Sequence, residues 1–128
     1  MPNTSNTMGL HFHYRLWIAE MNSHINILRI FEDYIDELRS KKNELVVKNG
    51  VEDFQKQFVG LRKEIDELRH EMHLAKMTLA AYSKQKSPDT KSFAKGNHGE
   101  LKKRYLSYRK TFENAKKEFG KFENKWLR

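Results

Sequence analysis

The sequence contains no cysteine. A disulfide scaffold, a thiolate zinc site and a cysteine nucleophile are therefore excluded, and the composition suits a reducing, cytoplasmic setting. Only two prolines and six glycines interrupt the 128 residues, which gives too few turn signals for a fold of many short strands. No apolar run approaches the roughly 20 residues of a membrane-spanning helix. The first residues lack the basic start and apolar core of a secretory signal. A soluble, cytoplasmic chain without membrane association is expected. Catalytic signatures are missing too: there is no phosphate-cradling glycine loop, no nucleophile elbow and no dinucleotide fingerprint.

What the chain does have is charge and heptads. Charged residues make up 33% and hydrophobic residues 38%, a balance that suits long helices with one buried stripe and a wide solvated face. Tyr14, Trp17, Met21, Leu28, Phe31, Ile35 and Leu38 alternate in steps of three and four, with His24 filling the remaining slot. Val51, Phe54, Phe58, Leu61, Ile65, Leu68, Met72, Ala75, Leu79 and Tyr82 form a second such series, and Leu101, Tyr105, Tyr108, Phe112, Ala115, Phe119, Phe122 and Trp126 a third. This is the signature of helices packed along a seam.

The expected fold is all-α, an elongated up-down-up three-helix bundle with coiled-coil-like heptad packing. Its helices are expected at about 10–40, 51–83 and 98–127, after a disordered tail over 1–9. The first turn falls between Ser40 and Val51. Either Asn49-Gly50 closes helix 1, or Asn43 caps an earlier start of helix 2 that runs through Gly50. Residues 84–97, with Ser87-Pro88-Asp89, read as a loop. Asn97 and Glu100 then read as a capping box for helix 3. The wide apolar face of helix 1, broadened by Ile18, Ile25, Ile27, Ile30 and Tyr34, predicts a protein partner or a homodimer.

Two features invite a more specific function. The first is polar groups on a packed face. His13, Glu20 and His24 share one stripe of helix 1, Glu71 flanks the seam of helix 2, and His98 falls on the core register of helix 3. Buried groups of this kind need partners. Glu and His from facing helices are the donors of metal-binding bundles, so a divalent metal held by Glu20, His24 and Glu71, with His13 or His98, is one expectation. Hydrogen bonding among these groups and the tyrosines is the structural alternative. Glu67 and His70 match a Glu-x-x-His spacing but fall on the outer side of helix 2.

The second feature is charge asymmetry. The net charge is +8, yet residues 1–83 hold 11 Lys+Arg against 12 Asp+Glu, whereas residues 84–128 hold 14 against 5. Lys102, Lys103, Arg104, Arg109, Lys110, Lys117 and Lys121 lie along helix 3 and could meet nucleic acid or another acidic partner. Its aromatics occupy the seam, which suits a core more than a base-stacking platform. The leading expectation is a non-catalytic structural or protein-interaction bundle, followed by metal binding and then by anion binding.

Three segments carry a family likeness: His11-Phe12-His13-Tyr14-Arg15-Leu16-Trp17, Asp53-Phe54-Gln55-Lys56-Gln57-Phe58 and Glu64-Ile65-Asp66-Glu67-Leu68-Arg69-His70. They resemble small uncharacterised helical proteins of Bacteroidetes-type bacteria. The resemblance covers parts of helices 1 and 2 and is faint over helix 3. It implies a bacterial cytoplasmic helical protein and brings no activity or binding residues with it.

Overall fold

The computed structural model describes the backbone of residues 2–41, 44–85 and 88–126, and the side chains of 8–41, 44–81 and 98–125. Three helices account for nearly all of it: α1 (Pro2–Lys41), α2 (Leu45–Gln85) and α3 (Pro88–Trp126). Each has about 40 residues and so spans about 60 Å at 1.5 Å per residue. No strand is present among the described residues.

The contacts establish the up-down-up order. Between α1 and α2, Arg69 Nη1 donates to Asn22 Oδ1 over 2.7 Å, Arg62 meets Glu32 at 2.9 Å, and Arg39 donates to Gln55. As the α1 number rises, its α2 partner falls, so the two run antiparallel. Phe54 against Phe119 and Arg104 against Glu64 and Glu71 make α2 and α3 antiparallel as well. Residues of α1 and α3 meet at a constant separation of 84 or 85 positions, the mark of a parallel pair. The start of α1, the end of α2 and the start of α3 thus share one end of the bundle.

The buried positions follow the heptads. On α2 they are Val47, Val51, Phe58, Leu61, Ile65, Leu68, Met72, Ala75 and Leu79, and on α3 they are Leu101, Tyr105, Tyr108, Phe112, Ala115 and Phe119. Apolar residues at this spacing keep one stripe facing inward along the whole helix.

The helix ends differ from the sequence expectation over 1–9 and over 84–97, and at the first turn they agree with the earlier start of helix 2. There is no separate tail over the described part of 1–9, because α1 begins at Pro2. A proline suits the first helical position, where its fixed φ is pre-set and its missing N–H is not needed. The same rule replaces the expected loop over 84–97. Pro88 opens α3, and α2 extends to Gln85; residues 86 and 87 lie outside the described residues. The helix passes through Asn97, which is therefore an interior residue of α3 and not its first one. At the first turn α2 starts at Leu45, which makes Gly50 an interior residue. Asn43 lies outside the described residues. A Cβ at Gly50 would sit 2.6 Å from Cζ of Phe122, so the glycine permits the close approach of α3 to α2 at this end.

Candidate functional site

The polar residues of helix 1 gather along the seam between α1 and α3. Apart from the tyrosines, His24 is the only buried polar side chain among the described residues, 6% exposed. Its ring stacks on Phe112, with centroids 3.8 Å apart and planes within 10°. Its Nδ1 shares a hydrogen bond of 2.6 Å with the Tyr108 hydroxyl. Burial lowers the His24 pKa; Glu20 and Glu113 oppose that shift, while Lys116 and Arg109 reinforce it. Desolvation also drives the Tyr108 phenol upward, helped by Tyr105 and by Glu20, Glu113 and Glu64. The pair is thereby held as neutral imidazole and neutral phenol.

One turn toward the start of α1, Glu20 accepts a hydrogen bond from the Tyr105 hydroxyl and an ion pair from Arg109 Nε at 3.1 Å. Burial, then the Glu20 hydrogen bond and charge, raises the Tyr105 pKa. One further turn out, Trp17 lies between two α3 rings. It stacks on Tyr105 at 5.1 Å and on His98 at 5.6 Å. His98 Nδ1 also shares a hydrogen bond of 3.3 Å with the hydroxyl of Tyr14, whose pKa burial pushes up to about 12. His13 stacks on both Trp17 and His98, at 5.7 and 6.2 Å. Burial, then His13 and Lys102, lowers the His98 pKa.

The five residues considered as metal ligands are therefore brought to one end but not to one point. His13 and His98 are neighbours in a ring stack. Glu20 and His24 each face a different tyrosine. Glu71 turns toward α3, where Arg104 donates to it and also lies 3.7 Å from Glu64. Among the described residues, no group of three or more His, Asp or Glu side chains is placed to hold a metal ion. The donor set suits structural hydrogen bonds and ion pairs instead.

The basic residues of α3 divide in the same light. Arg104 and Arg109 are drawn to the carboxylates of Glu71 and Glu20, and Lys121 lies 3.5 Å from Glu118. Two of the proposed anion-binding residues thus neutralise two of the proposed metal ligands. Lys102, Lys103, Lys110 and Lys117 are exposed. Lys103, Lys110 and Lys117, seven residues apart, form a row on the outer face of α3.

Two features escaped the heptad reading. Met8, Phe12 and Leu16 follow one another at four-residue spacing on α1, exposed by 68, 54 and 50%. The signal was present as apolar residues outside the seam register. The other is a groove of about 500 Å³ between α2 and α3, running past Gly60, Leu61, Tyr108 and Ala115. Its signal was a glycine inside a heptad helix. No described helix is long and apolar enough to cross a membrane. Comparison of the chain with protein-family models, curated proteins and solved structures finds no match in any of the three.

Proposed function

We propose that the chain is a non-catalytic helical assembly module that self-associates through the first part of α1. The observation behind this reading is the row Met8, Phe12 and Leu16, three large apolar side chains at least half exposed on successive turns. Exposed apolar surface of this kind marks contact sites. Its setting favours a second copy of the chain as the partner. Residues 1–19 hold a single Lys or Arg, Arg15, and no Asp or Glu, although a third of the whole chain is charged. Two such segments can pack against each other across a twofold axis with little charge to desolvate and almost none to repel. The seam chemistry supports a structural role, since its phenols are engaged with the imidazoles of His24 and His98 and with the carboxylate of Glu20.

The test is the double substitution Phe12→Glu/Leu16→Glu, with molar mass measured by light scattering and helicity by circular dichroism. We expect the unaltered chain to dimerise and the variant to be a helical monomer. Equal masses for the two would contradict the proposal. A second reading, non-specific binding of nucleic acid or another acidic partner, draws on the exposed row Lys103, Lys110 and Lys117. Its test is a gel shift with duplex DNA, expected to weaken steeply as salt rises; no shift at low salt would end it.

A further inference from the structure

We infer that the groove between α2 and α3 is a binding site for a small amphiphilic organic anion, an apolar body carrying one carboxylate, phosphate or sulfonate head. The site lies away from the exposed row of α1, and its failure or success is independent of self-association. Its volume of about 500 Å³ is within the range of small-molecule sites, roughly 300–1,000 Å³. The floor is apolar: Leu61 and Ala115 are buried, as is the ring of Tyr108. Gly60 stands on the α2 wall of the groove and adds no side chain to fill it. A Cβ built there meets nothing within 4 Å, so this glycine serves neither a tight turn nor a close helix approach, in contrast to Gly50.

The rim supplies the charge complementarity. Lys56 enters from α2, and Lys103 and Arg104 from α3. The charge of Arg104 is held by Glu71 and Glu64, and Glu64 is the one carboxylate that lines the groove. Lys56 and Lys103 are exposed and have no ion pair among the described residues, which leaves two cations on opposite walls for one anionic head. Gln57 and Ser107 add neutral polar groups beside them. An apolar floor with a few convergent polar groups fixes both the body and the orientation of a ligand. A neutral apolar molecule would leave the lysines unused, and a bare inorganic anion would leave the floor wet.

The experiment uses 8-anilinonaphthalene-1-sulfonate as the anionic probe and N-phenyl-1-naphthylamine as its uncharged counterpart, each titrated against the full chain by fluorescence. We expect one saturable site for the sulfonate, with the uncharged probe bound about tenfold more weakly, as loss of a charge-assisted contact implies. Gly60→Leu should fill the groove and abolish binding of both probes. Lys56→Gln/Lys103→Gln should weaken the sulfonate about tenfold and leave the uncharged probe unchanged. Circular dichroism confirms helicity, and the lysine variant, altered only at exposed positions, decides the matter if Gly60→Leu misfolds. Absence of sulfonate binding, binding unaffected by a folded Gly60→Leu variant, or binding unaffected by loss of both lysines would each overturn the assignment.

Discussion

Where α1 starts and α2 ends, the bundle is packed with Tyr14, Trp17, His24, Tyr105 and Tyr108; at the opposite end Phe31, Phe54, Phe58, Phe119 and Phe122 fill the equivalent layers. The phenylalanine end is apolar. Phe31 and Phe119 lie 4.9 Å apart, Phe54 and Phe119 5.1 Å, and Phe58 and Phe119 5.3 Å. These are ordinary distances for tilted and edge-on rings. Such contacts are non-directional in their main term, so they stabilise without specifying much. The other end trades some of that area for hydrogen bonds that fit only one register: Tyr108 with His24, Tyr105 with Glu20, and Tyr14 with His98. All three join α1 to α3, helices that are not consecutive in the chain. Polar pairs there can fix which residue of α1 sits beside which residue of α3.

That contrast can be broken from either end. The largest effect is expected from Phe58→Ala, since Phe58 is fully buried in the apolar cluster. A loss of about 3–5 kcal/mol is anticipated from transfer and cavity terms, read as a lower midpoint in urea unfolding. Gly50→Leu at the same end should cost about 1–3 kcal/mol, because its side chain must displace the Phe122 ring from a packed position. Tyr108→Phe, at the polar end, should cost about 1–3 kcal/mol by leaving the buried Nδ1 of His24 without its partner. A cost no larger than that of an exposed substitution would show that this hydrogen bond has no weight in the fold.

The two ends should also differ in their response to pH. Burial lowers the His24 and His98 pKa values below the ordinary 6.5, so the unfolded chain takes up protons at higher pH than the folded one. Their contribution is intact above about pH 6.5 and is lost progressively as the pH falls below it. At the alkaline extreme the sign reverses. Tyr14 is raised from 10.0 to about 12, so stability is lost as pH rises across that interval. Melting temperature should therefore drop on acidification from pH 7.5 to 5, and His24→Gln should flatten the slope. Identical slopes for both proteins would remove His24 from the explanation. The smallest effect expected is a gain: Gly60→Ala places a methyl in open space on a helix and should add about 0.5–1 kcal/mol.

The heptads were legible because a three-four repeat states which face is buried without naming the partner. Every seam residue from Tyr14 to Phe122 with a described side chain is buried or partly so. Pro88 was misread because a proline that ends one helix and a proline that begins the next look alike in sequence. The pairing of the charged groups was not legible. Glu20 with Arg109 and Glu71 with Arg104 join residues 89 and 33 positions apart, and their meeting depends on helix rotation that no local pattern encodes. The same carboxylates and guanidinium groups therefore served two separate expectations on paper, while in the fold they satisfy one another.

Self-association through the charge-poor start of α1 is most directly tested by sedimentation equilibrium of the unaltered chain over a wide concentration range. We expect the mass-average to climb from that of one chain to twice that value and stop there, as a closed twofold contact requires. A mass that stays at one chain up to the highest soluble concentration would contradict it.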